Sequence, residues 1–169
     1  KNFRIKVIID VNWREIFWDH ANIDKDIRFR KVKNFLNHAD ILKLASEEAY
    51  LFFDTNDPSE ISKVLTKQPD VIITNGSKQI NWYINCIKGS NEVIKHSSKI
   101  IDTTGAGDAF LAGLISRLYW DSNLDDQVKI KEIIKFASVC GLLTCFGEGA
   151  IEQQPKDKVV YKFLEDFGS

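Results

Sequence analysis

Residues 100–113 read IIDTTGAGDAFLAG, and the fold turns on what the central run, Asp102 to Asp108, is doing. Ala109, Phe110, Ala112, Gly113 and Leu114 continue it as an apolar run at helical spacing, so the glycines stand where a helix begins. Two readings are open. In the structural one, Gly105 and Gly107 make a turn, Asp102 or Thr104 caps the helix, and Asp108 is an acid favoured by the positive end of the helix dipole. In the chemical one, the turn presents unpaired backbone N–H groups to an anion, with no side chain blocking the approach. An acid in the first turn would oppose a phosphate that is merely bound. Asp108 then needs its own task, taking a proton from a hydroxyl while that oxygen attacks phosphorus. No lysine follows the glycines, so this is not the G-x-x-x-x-G-K-[ST] loop. Phe110 stands where G-x-G-x-x-G has its third glycine.

The rest of the chain narrows the choice. Its 169 residues suffice for one ordinary domain with a buried core, and 44% hydrophobic with 28% charged residues is a globular composition. With 23 basic and 24 acidic residues the net charge is −1, which gives no electrostatic case for nucleic acid or an anionic membrane. The apolar runs are too short for a membrane span and no signal peptide precedes them. Cys86, Cys140 and Cys145 show no metal-like pairing with His20, His38 and His96, and read as reduced, buried thiols of a cytoplasmic protein. The chain contains no methionine and opens on KNFRIKVIID, which has the look of the middle of a protein.

Periodicity predicts a strand over 5–11, a polar and aromatic loop over 12–22, a helix over 24–37 and a strand over 41–44, with Ser46 capping a helix through Phe53. Asp57-Pro58-Ser59-Glu60 is a helix start, ending near Lys67. Val71–Thr74 is a third buried strand, closed by Asn75-Gly76. Ile80–Ile87 alternates and pairs with Glu92–His96 through a turn at Gly89-Ser90-Asn91. Helices follow at about 107–120, 126–145 and 157–167. This order predicts a single α/β domain with a mostly parallel sheet.

DTTGAGDAF (102–110) resembles the C-terminal signature of the ribokinase-like, or pfkB-type, carbohydrate kinases. DVNWREIFW (10–18) is similar to the D-x-N-x-R-x-x-x-W segment of fructokinases and 2-keto-3-deoxygluconate kinases. LKLASEEAYLF (42–52) resembles the segment with the family's N-x-x-E element. VIITNGSKQ (71–79) resembles its T-x-G-x-x-G nucleotide strand and turn, and FASVCGLLTCFGEGA (136–150) its late helix beside the adenine. The resemblance implies a three-layer α/β/α ribokinase-like fold, here the C-terminal, nucleotide-binding portion without the N-terminal half that carries the sugar site and lid.

It further implies an ATP-dependent sugar kinase of the cytoplasm. Asp108 would be the base, and the amides of Gly105, Ala106 and Gly107 the anion hole, flanked by Thr104. Thr74 and Gly76 would contact the ATP phosphates and ribose. Ser138, Gly149 and Ala150 would border the adenine, and Asn12 and Arg14 would lie near phosphates or sugar. Glu48 would organise Mg²⁺ through water. Asp102 and Thr103, with carbonyls around Cys145–Gly149, would hold a monovalent cation such as K⁺. The partner is a small-molecule sugar, neither nucleic acid nor membrane, and the absent lid would be the surface for a homodimer. The sequence departs from the family pattern at Ala45 (for the N-x-x-E asparagine), Gln79 (for the second glycine of T-x-G-x-x-G) and Ser138 (for an asparagine by the adenine). Fructose is the leading substrate and an acidic 2-keto-3-deoxy sugar the alternative, with Arg14 the residue that bears on the choice. A non-catalytic, kinase-derived nucleotide-binding or regulatory protein is the rival from another class. Trp13, Phe17 and Trp18 read as packing before ligand stacking, and Arg28–Lys33 as a solvated helix face.

Overall fold

Three apolar runs pair side by side in the computed structural model, which describes residues 6–17, 24–120 and 124–168. They are β1 (Ile8–Asp10), β2 (Ile41–Ala45) and β3 (Asp70–Thr74), parallel throughout, with Leu42 opposite Val71 and Leu44 opposite Ile73. The hairpin of β4 (Gln79–Ile84) and β5 (Ile87–Glu92) extends the sheet, β4 running antiparallel to β3, to give the order β1-β2-β3-β4-β5. The expected parallel sheet is thus its first three strands.

Leu42, Leu44, Val71 and Ile73 share one face and pack with Leu36, Ala49, Ile61 and Leu65. These come from α1 (Lys25–Leu36), α2 (Ser46–Phe53), α3 (Pro58–Val64) and the residue after α3. Ile41, Ile72 and Trp82, on the opposite face, are equally buried, which is why β2 and β3 read as nearly continuous apolar runs rather than alternating ones. Helices α4 (Ala106–Trp120), α5 (Gln127–Thr144) and α6 (Asp157–Phe167) follow. Ala109, Phe136, Val139, Cys140, Val160 and Phe163 form their shared core. The chain divides into two compact units, residues 1–90 and 91–169.

Local chemistry explains most boundaries. Asp24 caps α1 by accepting from the Asp26 and Ile27 amides, Asp57 caps α3 ahead of Pro58, and Asp126 caps α5. Three expectations need correction. Ser46 is the first residue of α2, not its cap; the cap position falls on Ala45, whose amide is satisfied by the Glu48 carboxylate at 2.7 Å. The hairpin turns at Asn85-Cys86, not at Gly89-Ser90-Asn91. Both turn residues are left-handed (φ 47° and 63°), as a two-residue turn matched to strand twist requires, and the Asn85 amide is held by Asp70 Oδ1 at 2.8 Å. Gly89 and Ser90 lie inside β5. Cys86 is consequently exposed, while Cys140 and Cys145 are buried as expected. Burial pushes the Cys140 thiol up to about 11. Trp18 and His20 lie outside the described residues.

Candidate active site

In an open parallel sheet, ligands meet the loops that leave the carboxyl ends of the strands. Within residues 1–90 those loops carry every candidate the sequence placed there. Asn12 and Arg14 follow β1, Glu48 sits in the first turn of α2 after β2, Thr74 ends β3 and Gly76 follows it. Thr74 and Asn75 are half-buried, whereas Gly76 is exposed with φ 52°. The Lys78 amide closes the β3–β4 turn on Asn75 O at 2.9 Å. Asn12 is left-handed (φ 42°), uncommon for a non-glycine residue and a recurrent feature of functional loops. Asn12 and Arg14 are exposed, and Arg14 Nη1 donates to Trp13 O at 3.3 Å. Asn12 also lines a cleft of about 340 Å³ between the end of β1 and α1, with Asp10, Trp13, Lys31 and Phe35. The Trp13 ring is packed edge-on against Phe52 (centroids 5.3 Å apart) and tilted against Phe29 (5.7 Å), so it serves packing, as its position near a strand end suggested.

Lys43 and Asp10 are residues that the sequence reading passed over as a pair. Register partners on β2 and β1, they form an ion pair, Nζ lying 2.9 and 3.1 Å from the two carboxylate oxygens, with Lys43 only 5% exposed. The available signal was a lysine embedded in the run Ile41-Leu42-Lys43-Leu44: a buried lysine demands a partner.

Glu48, to which the resemblance gives a part in organising magnesium through water, is engaged by two backbone amides. It is buried, and its oxygens accept the Trp13 amide (2.5 Å) and the Ala45 amide (2.7 Å). Each carboxylate oxygen keeps a second lone pair, so these bonds fix the side chain while leaving it able to accept a further hydrogen bond from water.

Within residues 91–169 the glycine stretch is held by one carboxylate. Asp102 Oδ1 accepts from the Thr104 amide (2.9 Å) and hydroxyl (2.7 Å), and Oδ2 from the Gly149 amide at 3.1 Å. The Thr104 hydroxyl and amide, then the Gly149 amide, hold its carboxyl below the usual carboxylate range. The same bonds bring the DTTGAGD turn and the Gly149–Ala150 loop together. The contact is close: Gly105 has φ 79°, and a Cβ there would lie 2.6 Å from Ala150 Cβ. On the other side, a Cβ on Gly141 of α5 would lie 2.9 Å from Ala106 O. Ser138, three residues earlier on α5, is buried.

At the start of α4 the Ala106 amide turns back to Thr103 O at 3.2 Å. The amides of Gly105, Gly107 and Asp108 have no acceptor among the described residues. Asp108 is exposed, and its carboxylate forms no hydrogen bond or ion pair among those residues. Three open donors and a free acid therefore share one helix start. For a monovalent cation the fit is narrower. The Cys145 carbonyl already accepts from the Ile101 and Asp102 amides (2.9 and 3.4 Å), the Thr103 carbonyl from Ala106, and both Asp102 oxygens from Thr104 and Gly149, so a monovalent cation would share each of these oxygens with a hydrogen-bond donor. Among the described residues no group of three His, Cys, Asp or Glu side chains is placed to hold a metal, and no helix is long and apolar enough to cross a membrane.

Residues 1–90 thus hold a parallel sheet with its candidate residues at the carboxyl ends of the strands, and residues 91–169 hold a glycine turn at a helix start beside an acid that is unpaired among the described residues. The sequence matches the pfkB family carbohydrate kinase profile over residues 4–157, and the chain belongs to that family. It is 34% identical over 162 residues to fructokinase-1 of Oryza sativa subsp. japonica, covering 92% of this chain and 48% of the rice protein. Its fold is similar to that of a fructokinase from Xylella fastidiosa solved with bound ATP (TM-score 0.79, 21% identity, 95% of this chain and 52% of that one). It is also similar to a double-mutant fructokinase from Vibrio cholerae O395 with fructose, ADP and potassium bound (TM-score 0.77, 28% identity, 94% and 50%). The expected ribokinase-like fold is therefore present, and the chain spans about half the length of the curated relatives it matches.

Proposed function

We propose that the protein containing this chain transfers the γ-phosphoryl group of ATP to a hydroxyl of a hexose, with fructose the leading substrate. One observation carries the reading: at the N-terminus of α4 the Asp108 carboxylate and three backbone amides are all without partners among the described residues. The fructokinase relatives and the fructose and ADP bound to the Vibrio protein support the choice of substrate and nucleotide.

In this reading the Gly105, Gly107 and Asp108 amides and the positive end of α4 stabilise the charge that develops on the transferring phosphoryl oxygens; the Ala106 amide, which the resemblance would add, is already given to Thr103 O. A preorganised donor of this kind contributes about 3–4 kcal/mol to the transition state. Asp108 accepts the proton of the attacking hydroxyl, so the new O–P bond forms as the bond to the ADP oxygen breaks and the proton leaves with the carboxylate. Thr104 flanks the anion hole and Asp102 holds its shape through Thr104 and Gly149. Thr74 and Gly76 are assigned to the nucleotide phosphates and ribose, Ser138, Gly149 and Ala150 to the adenine surroundings, and Asn12 and Arg14 to phosphate or sugar. Arg14 suits such a role because its planar fork binds an oxyanion at two points. The Mg²⁺ that accompanies ATP supplies neutralisation of phosphate charge, and Asp102 is the residue we assign to a potassium ion.

The test is coupled measurement of ADP release from the full-length protein with fructose, other hexoses and 2-keto-3-deoxygluconate, beside Asp108→Asn. Turnover of one sugar should fall by about 10²–10⁴-fold in the variant with ADP affinity retained. Because the Asp108 side chain makes no hydrogen bond or ion pair among the described residues, folding stability should change by under about 1 kcal/mol. A wild-type protein that binds ATP and phosphorylates none of these sugars would instead support the non-catalytic, nucleotide-binding rival.

A further inference from the structure

Glu48 is a buried acid whose two oxygens are both in use. It is 8% exposed. Oε2 accepts the Ala45 amide within its own helix start, and Oε1 accepts the Trp13 amide, 35 residues earlier in the chain. Hydrogen bonds to an ionised acceptor are the stronger kind, and each half-buried amide would lose its acceptor if the carboxylate turned away. The loop it grips is fixed at Trp13 twice over, by this amide and by the ring wedged against Phe52 and Phe29. On one side of the grip lies Asn12 in its left-handed conformation (φ 42°), a state held only when its surroundings impose it. On the other lies Arg14, exposed, its guanidinium close to the Trp13 carbonyl. Beneath the loop, the Lys43–Asp10 pair and the Val11 amide on Lys43 O (3.2 Å) join β1 to β2.

We infer that Glu48 is a positioning residue that works through backbone: its carboxylate clasps the loop after β1 to the start of α2, and so presents Arg14 as the arm that binds a nucleotide phosphate. This chain lacks the asparagine of the N-x-x-E element, Ala45 standing in its place and supplying only a backbone amide. The identity of the anion rests on the sugar-kinase reading above; the clasp does not.

Three measurements on the full-length protein test it. The first is amide hydrogen exchange in Glu48→Gln, since a carboxamide can face only one of the two amides with an oxygen. Exchange at Trp13, Ala45 or both should accelerate at least about tenfold relative to distant amides of the same sheet. The second is ADP titration of wild type and Glu48→Gln with Mg²⁺ and with EDTA. The affinity loss, about three- to tenfold for one misdirected charge-assisted contact, should be the same factor in both. The third is the double variant Glu48→Gln/Arg14→Gln, which should bind ADP no more weakly than Arg14→Gln alone, because a residue acting through Arg14 adds nothing once that arm is gone.

Unchanged exchange, or a loss seen only with Mg²⁺, overturns the inference in favour of a metal role. Losses that add in the double variant overturn the link to Arg14. If wild type binds no ADP, the nucleotide reading and the anion assigned to Arg14 both fall, while exchange at Trp13 still decides the clasp. Should Glu48→Gln not fold, Glu48→Asp takes its place: the side chain, one methylene shorter, reaches one amide only, and the other should exchange faster.

Discussion

Gly105 and Gly149 share the same backbone angle, φ 79°, and differ in what surrounds them, so a paired substitution separates two physical effects. An L-residue in the left-handed region costs about 1–2 kcal/mol. Alanine returns about 0.4–1 kcal/mol by restricting the unfolded chain. Gly149→Ala, whose Cβ meets nothing within 4 Å, should therefore destabilise by about 0–1.5 kcal/mol. In Gly105→Ala the Cβ would sit 2.6 Å from Ala150 Cβ and 2.8 Å from Ala150 Cα, against an ordinary carbon–carbon separation of about 3.5–4.0 Å. The obstacle includes backbone, so the loop must move by about 1 Å, an overpacking cost of about 1–3 kcal/mol. The sum for Gly105→Ala is about 1–4.5 kcal/mol, and the gap between the variants is the steric cost alone. Urea unfolding of the full-length protein, with slopes compared to ensure equal surface exposure, measures both. The displaced turn carries the three open amides, so Gly105→Ala should also lose about 10²-fold in turnover. Equal destabilisation by the two alanines would refute the argument, because the left-handed angle would then be the whole effect and the contact with Ala150 would have no role.

The ion pair in the sheet and the cap of α3 give two more tests. Lys43→Met leaves Asp10 beside the core without its cation and should cost about 3–5 kcal/mol in urea unfolding. Adding Asp10→Asn should recover much of that, and a double variant as unstable as the sum of the singles would show that no shared charge is involved. Asp57 is partly desolvated, which raises its carboxyl, but the Lys88 ammonium and the Ser59 hydroxyl and amide outweigh this and lower it from 3.8 to about 2. A carboxyl depressed on folding stabilises above its unfolded value and loses that contribution as pH falls through the folded one. Wild type should thus lose stability between about pH 4 and pH 2 more steeply than Asp57→Asn, whose amide still caps α3. Parallel acid-unfolding curves would count against the Asp57 contribution.

The parts of the fold legible in the sequence are those whose cause is local. The Asp57 cap, the buried runs of β2 and β3, and the glycine turn at α4 each depend on a few consecutive residues, and each lies where the pattern put it. The hairpin shows how locality fails. Gly89-Ser90-Asn91 has the composition of a turn, but β4 pairs with β3 so that Trp82 falls opposite Ile72, and a Cβ on Gly89 would collide with the Trp82 ring at 2.3 Å. Gly89 is therefore small to admit an indole across the strands, and the turn passes to Asn85-Cys86, where a cysteine in the left-handed region carries little signal in composition. Glu48 and Lys43 fail to be read for the same reason at longer range. Their partners, Trp13 and Asp10, lie 35 and 33 residues away, and only the pairing of β1 with β2 brings them together. The residues proposed for chemistry were legible because the turn around Asp108 is built within seven consecutive positions. The residues that hold Arg14 in place were not, because their roles are properties of the sheet. A motif of this kind can therefore identify the acid and the open amides, while the means by which the loop after β1 is held must be worked out from the fold.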